Sequence, residues 1–329
     1  MVTAGIGTVA AAATSTPAAR PHALPSGAQA VLAAHKPSRQ KPGVVGLNVP
    51  VRPGTAAHVS PPPPAWFNLG SAPADAALAF RAGMGSALLV DPDTHAVLWY
   101  DNPTERRPTA SLAKIFTVMV AMDHATSMDQ QIVVPPGGED DDITHSVMGL
   151  HAGDLITVEH LIDGIWLASG DDAAETLAEA FVPRDQFIAE MNAKAAWLGL
   201  HDTHFTNPSG LDDPGEYSSA YDLAVATGWL WNHYPAPFSL AWQPFIPLAV
   251  RGRDLSLRNL NKLVFDYNDS GHGYPGANGL KTGDTPNAGG CVAVTAQRGS
   301  KRLIAIVMNS DWFFTNAAVL LDYGFAVDH

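Results

Sequence analysis

Ser111-Leu112-Ala113-Lys114-Ile115-Phe116-Thr117-Val118-Met119-Val120-Ala121-Met122 is the stretch on which the fold turns. Leu112, Ile115, Phe116, Met119 and Met122 recur at steps of three and four, the spacing of one helix face, so a helix with a buried stripe is predicted from Ser111 to about Ala125. Just ahead of it, Gly85-Ser86-Ala87-Leu88-Leu89-Val90-Asp91 and Ala96-Val97-Leu98-Trp99-Tyr100 are β-rich runs parted by Pro92-Asp93-Thr94-His95, which reads as a hairpin. After it come helical patterns near 158–164, 171–181, 184–198 and 221–231. Strand-like segments follow at 279–282, 290–297 and 303–309, with turns at Pro286-Asn287 and Arg298-Gly299-Ser300, and a closing helical run covers 313–324. Strands from both ends of the chain with helices inserted between them predict an α+β fold: an antiparallel sheet flanked by helices plus an inserted all-helical lobe, with the site in the cleft between them.

The apolar supply suits one large domain. Hydrophobic residues make up 46% and charged residues 16% of 329 residues, enough for a sizeable core. Residues 1–73 are Ala-, Pro-, Gly- and Ser-rich, end near Pro61-Pro62-Pro63-Pro64 and show no periodicity. That composition predicts a disordered tether, with the folded domain at 74–329. The first residues carry no Lys or Arg before Arg20, so they lack the charged start of a full signal peptide and fit a truncated one. No run is long and apolar enough to span a bilayer. A formal net charge of −13 with no basic cluster argues against nucleic-acid binding. The single cysteine, Cys291, lies in the apolar run Gly290-Cys291-Val292-Ala293-Val294 and reads as a packed, inert thiol.

Three short motifs occur in order: Ser111-Leu112-Ala113-Lys114, Ser169-Gly170-Asp171 and Lys281-Thr282-Gly283. Residues three apart on a helix are neighbours, so Ser111 and Lys114 can touch. A serine hydroxyl is a weak nucleophile at neutral pH, and a lysine whose pKa is lowered by burial or by a nearby cation can take its proton; Lys281 is the candidate cation. Ser111 N–H, near a helix start, and the backbone N–H of Asp284 are candidate donors to an oxyanion. Ser169 suits a proton relay to a leaving amine, and Lys281 and Thr282 suit a carboxylate. Gly283 would leave room for a substrate peptide added along the strand edge. Each motif has a plainer reading: Ser111 and Ser169 as helix N-caps, Lys114 as a solvated residue, Lys281-Thr282-Gly283 as a strand end. Their order and their placement on two helix starts and a strand favour one active site.

With these motifs, the sequence resembles the low-molecular-mass penicillin-binding proteins, specifically the D-alanyl-D-alanine carboxypeptidase family. The likeness extends over Arg107-Pro108-Thr109-Ala110-Ser111, Ser169-Gly170-Asp171-Asp172-Ala173-Ala174, Phe205-Thr206-Asn207-Pro208-Ser209-Gly210-Leu211, Tyr217-Ser218-Ser219-Ala220-Tyr221-Asp222 and Gly279-Leu280-Lys281-Thr282-Gly283. It implies a fold shared with serine β-lactamases and an acyl-enzyme on Ser111, with Lys114 and Ser169 also catalytic. It further implies release of the terminal D-alanine from peptidoglycan stem peptides ending in D-Ala-D-Ala, covalent inhibition by β-lactam antibiotics, an extracytoplasmic location, and no metal or organic cofactor. Asp171, Lys281, Thr282, Gly283 and Asp284 are the implied substrate-binding residues.

One position departs from the family pattern. Asp171 stands where the family usually carries Asn, turning a donor into an acceptor that can pair with Lys114 and raise its pKa. The family's C-terminal β-rich domain and anchoring helix have no counterpart after Gly324, which points to an N-terminal tether. The alternatives are a DD-endopeptidase using the same residues, a serine β-lactamase, for which no Glu-x-x-Leu-Asn segment is evident, and an inactive penicillin- or wall-binding module, for which Asp171 is the argument. Glu139-Asp140-Asp141-Asp142 with His145 reads as a solvated loop, His201 and His204 as turn residues without further metal ligands, and Trp166 and Trp197 as core.

Overall fold

The computed structural model describes residues 66–71, 83–138 and 145–327. Strands β1 (Met84–Asp91) and β2 (Ala96–Asp101) form the expected hairpin. The chain then passes through a 3₁₀ turn, Ala110–Ala113, into helix α1 (Lys114–His124). Helices α2 (Val158–Leu167), α3 (Asp171–Phe181), α4 (Arg184–Trp197) and α5 (Ala220–His233) build the inserted lobe. Thr157 caps α2 and Ser219 caps α5, each accepting a backbone N–H from three residues on.

The lobe is not helix throughout. A ribbon of β3 (Gln131–Val133) and β4 (Leu155–Thr157) precedes α2. After α5, β5 (Phe245–Ile246), β6 (Ala249–Val250), β7 (Arg253–Asp254) and β8 (Leu257–Arg258) form two nested two-stranded ribbons. Strands of two or three residues are too short to show alternation, which is why periodicity did not register them.

Strands β9 (Ala277–Gly283), β10 (Cys291–Arg298) and β11 (Lys301–Ser310) return to the first hairpin, giving a five-stranded antiparallel sheet in the order β2-β1-β11-β10-β9. Both faces are covered, and along β1, β10 and β11 the side chains divide by alternation. Leu88, Val90, Ala293, Ile304 and Ile306 join the core shared with the helical lobe. Leu89, Val292, Val294, Leu303 and Ala305 pack with Ala317, Leu320 and Leu321 of the C-terminal helix α6 (Phe313–Ala326). β9 is an edge strand, and Lys281 pairs in register with Ala293, a residue of the lobe-facing set. Period two therefore turns Lys281 toward the helices.

Trp66 and Phe67, which composition assigned to the tether, are buried in this core. Phe67 N–H donates to Tyr221 Oη at 3.2 Å, Tyr221 Oη donates to Phe67 O at 3.1 Å, and the Trp66 ring meets Trp229 edge-on at 5.7 Å. Two aromatic side chains offset the ordering cost that the surrounding Pro-rich composition cannot. Trp166 is core, as expected, with Nε1 donating to Pro237 O at 2.8 Å, and Trp197 packs edge-on against Trp229. Among the described residues, no helix is long and apolar enough to cross a membrane.

Candidate active site

Ser111 is not at the start of an α-helix. It lies in the 3₁₀ turn Ala110–Ala113, and the first α-helical residue is Lys114. The tighter turn brings residues i and i+3 into line, and Lys114 Nζ stands 2.8 Å from Ser111 Oγ. Ala110, immediately before Ser111, has φ 46°, a conformation costly for a residue with a side chain. Gly210 explains how the turn is enclosed: a Cβ at Gly210 would meet Ala110 O at 1.9 Å, so only glycine lets the 207–211 loop approach this closely.

Lys114 is fully buried, and its Nζ has three acceptors: Ser111 Oγ at 2.8 Å, Asp171 Oδ1 at 2.5 Å and the Ser209 carbonyl at 2.8 Å. Three is the donor capacity of an ammonium. Burial pushes the lysine below its ordinary value, while Asp171 chiefly, with Asp172 and Glu175, pushes it back up. Loss of hydration outweighs the carboxylate, so the anticipated pairing is present and its upward effect does not win.

Ser169 precedes the N-cap Gly170 of α3 and is therefore not itself the cap. It adopts φ 60°, and its Oγ accepts from Lys281 Nζ at 2.8 Å. Lys281 is also fully buried and donates to Thr282 O at 2.7 Å. Burial first, and the neighbouring Lys114 second, hold Lys281 well below the usual lysine range, with Asp171 opposing. The charge of Lys114 thus opposes the charging of Lys281.

Asp171 and Asp172 open α3, where acidic side chains suit the helix N-terminus. Their carboxylates nevertheless have other tasks. Asp171 is buried and pairs with Lys114. Asp172 accepts four N–H groups, those of Met148, Gly149, Leu150 and Ala173, at 2.8–3.0 Å. Together with Asp171 N–H on Ser146 O at 2.7 Å, this fixes the turn that carries Ser169.

Gly283 closes β9 beside the Ser111 turn. A Cβ there would lie 2.8 Å from Ala110 Cβ and 2.9 Å from Ser111 N, so the glycine serves strand-to-turn packing, a reason different from room for a substrate. Thr282 is buried, and Asp284, just past the strand, has an exposed side chain. Hydrogen bonds thus join Ser111, Lys114 and Asp171 in one group and Ser169 with Lys281 in another, the charges of Lys114 and Asp171 reach Lys281, and Thr282, Gly283 and Asp284 follow Lys281 along the chain.

Sequence reasoning gave Ser209 and Asn207 no separate role. Ser209 supplies the third acceptor for Lys114. Asn207 Oδ1 accepts the N–H groups of Ser209, Gly210 and Leu211. The run Asn207-Pro208-Ser209-Gly210 carries the composition of such an Asx turn, a signal that locates the loop without revealing what its carbonyl faces. Cys291 is buried, its thiol pushed up to about 11 by desolvation. His204 Nδ1 lies 2.8 Å from Gly215 O. Glu139 to Asp142 lie outside the described residues.

A family model described as D-alanyl-D-alanine carboxypeptidase matches residues 73–311. The D-alanyl-D-alanine carboxypeptidase DacF of Bacillus subtilis is 33% identical over 246 residues, 68% of this chain and 57% of DacF. A D-alanyl-D-alanine carboxypeptidase of Mycobacterium tuberculosis is 34% identical over 249 residues, 73% of this chain and 82% of that protein. Among solved structures, the Streptomyces K15 DD-transpeptidase superposes with a TM-score of 0.68 at 27% identity, covering 74% of this chain and 98% of that one. The chain thus spans little more than half of DacF and most of the other two.

Proposed function

The chain belongs to the D-alanyl-D-alanine carboxypeptidase family, and on that premise we propose that it is a serine-type carboxypeptidase removing the terminal D-alanine from peptidoglycan stem peptides through an acyl-enzyme on Ser111. The observation that carries this reading is the three-way coordination of Lys114 Nζ. As a neutral amine, Nζ keeps two N–H groups for Asp171 and the Ser209 carbonyl, and its lone pair then faces the Ser111 hydroxyl. Burial favours that neutral form.

In acylation, Ser111 Oγ attacks the carbonyl between the two D-alanines while its proton passes to Lys114. The oxyanion is received by the backbone N–H groups of Ser111 and Asp284. Ser169, hydrogen-bonded to Lys281, gives its hydroxyl proton to the leaving amine as the C–N bond breaks and D-alanine departs, and takes back the proton that Lys114 received from Ser111, so that Lys114 is neutral again before water arrives. Water then attacks the ester, Lys114 accepting a proton from it, and Ser111 regains its hydroxyl proton. Lys281 and Thr282 bind the terminal carboxylate of the substrate. An anion placed there raises the Lys281 pKa, and the restored cation lowers that of Lys114 further, so substrate binding itself favours the basic form of Lys114. β-Lactams would acylate Ser111 by the same route and form long-lived esters.

The catalytic domain is proposed to begin at Trp66, ahead of the expected boundary at 74, and to act outside the cytoplasmic membrane, where peptidoglycan is found. The test is D-alanine release from a diacetyl-lysyl-D-Ala-D-Ala peptide, with Ser111→Ala as control and a cross-linked muropeptide as the alternative substrate. Release that vanishes in Ser111→Ala supports the reading. Cleavage of the muropeptide alone would replace it with an endopeptidase, and no turnover with no fluorescent-penicillin adduct would remove it.

A further inference from the structure

The loop that supplies Ser209 to Lys114 also reaches across to the loop after β9. Asn207 makes this loop stiff: its Oδ1 accepts from Ser209, Gly210 and Leu211 at 2.7–3.1 Å, and its Nδ2 donates to Leu211 O at 3.0 Å. Asp212 follows at once. Its Oδ1 accepts from Thr285 Oγ at 2.6 Å and its Oδ2 from Asn287 N–H at 3.0 Å. Thr285 is fixed from its own side as well, its Oγ accepting from Ala288 N–H at 3.2 Å and its carbonyl from Gly289 N–H at 2.9 Å. Asp284 is therefore held between two clamps: Gly283 packed on Ala110 and Ser111, and Thr285 tied to Asp212.

We propose that Asp212 is a positioning residue that fixes the Asp284 backbone N–H on the oxyanion. This rests on reading that N–H as an oxyanion donor. The exposed Asp284 side chain fits a role played by the backbone alone, because only the peptide plane has to be aimed. Preorganised donors act without reorganisation at the moment of reaction, so a loosened peptide plane weakens the transition state more than the ground state. Both carboxylate oxygens of Asp212 accept hydrogen bonds. Asparagine can still accept from Asn287 N–H and donate to Thr285 Oγ, whereas alanine can do neither.

The experiment compares Asp212→Ala and Asp212→Asn in the full chain by hydrogen exchange over residues 284–289 and by kcat and KM for D-alanine release. In Asp212→Ala, faster exchange is expected, with kcat lowered about 10- to 100-fold, less than the ~10²–10³ of removing an oxyanion donor outright, and with KM little changed. Asp212→Asn is expected to restore both readouts to near wild type. Unchanged exchange in Asp212→Ala overturns the clamp whether or not the wild-type protein turns over. Faster exchange with kcat intact, or a loss confined to KM, overturns the link to the oxyanion. Faster exchange in Asp212→Ala together with a wild-type protein that forms no penicillin adduct supports the clamp and sinks the proposed function instead.

Discussion

Lys114 Nζ stands 2.5 Å from Asp171 Oδ1, an ion pair with both side chains buried. The carboxylate raises the pKa of this lysine and of Lys281, against the larger effect of burial. Asparagine at 171 keeps an oxygen acceptor for Lys114 and removes the charge, so both lysines release their protons at lower pH. If catalysis uses neutral Lys114 and charged Lys281, as proposed, both limbs of the kcat/KM profile are expected to move to lower pH in Asp171→Asn. A pH–rate profile superimposable on wild type would show that the carboxylate does not set the basicity of the site. Asp171→Ala strands a buried amine, and a stability loss of about 3–5 kcal/mol is expected by urea unfolding, smaller at high pH where the amine is neutral in both states.

Gly283 supplies a second test, since its missing side chain decides how near β9 lies to the Ser111 turn. In Gly283→Ala the new methyl group has Ala110 Cβ and Ser111 N at less than van der Waals distance, so strand and turn must separate. The cost in stability is about 1–3 kcal/mol, the range for overpacking. The larger effect is on chemistry, because a displacement near 1 Å in a catalytic arrangement costs roughly 10²-fold. Penicillin acylation rates measured on folded Gly283→Ala should fall by about that factor. A normal acylation rate with reduced stability would mean the contact is packing alone.

These two positions show what the sequence discloses and what it hides. The helix through Leu112, Ile115 and Phe116 was legible because its apolar side chains recur with the period of one helix face, and the strand through Lys281 because it is a strand-like segment followed by the turn at Pro286-Asn287. The Ser111–Lys114 contact was legible because a separation of three residues implies neighbours. The 3₁₀ turn at Ala110–Ala113 and the positive φ of Ala110 and Ser169 were not legible, since tertiary contacts impose them on residues with no local preference for them. Ser209 escaped notice for a related reason: its backbone carbonyl meets Lys114, and any residue type carries one. Asp171 was legible as an exception, and only coordinates could show that desolvation outweighs its charge.

Phe67 tests where the domain begins. Its ring is buried and lies edge-on to Tyr221 at 6.2 Å, while its backbone exchanges two hydrogen bonds with the Tyr221 hydroxyl. Deleting a buried aromatic ring costs about 3–5 kcal/mol, so Phe67→Ala is expected to lower the urea midpoint markedly while leaving the m-value unchanged. A truncation starting at residue 74 should lose at least as much. If both variants unfold at the wild-type midpoint, residues 66–71 are an appendage and the boundary belongs at 74.

Glu216 links the stability of this domain to pH. It is buried, accepting from Thr206 N–H at 2.7 Å, Thr206 Oγ at 3.2 Å and Thr109 Oγ at 3.2 Å, and Thr109 lies two residues ahead of Ser111. Burial raises its pKa from 4.5 to about 7, with those hydrogen bonds pulling the other way. Between these values the native state binds a proton that the unfolded chain has lost, so stability falls as pH rises through the window and the full loss is reached above about 7. The interval corresponds to roughly 3 kcal/mol at 1.36 kcal/mol per pH unit. Glutamine at 216 mimics the neutral carboxyl and carries no titration. Urea unfolding of wild type and Glu216→Gln at intervals from pH 4.5 to 8 should therefore give curves that diverge with rising pH, the variant gaining relative to wild type by up to that amount. A constant difference across the range would mean that Glu216 is ionised throughout, its three hydrogen bonds sufficing to replace the lost hydration.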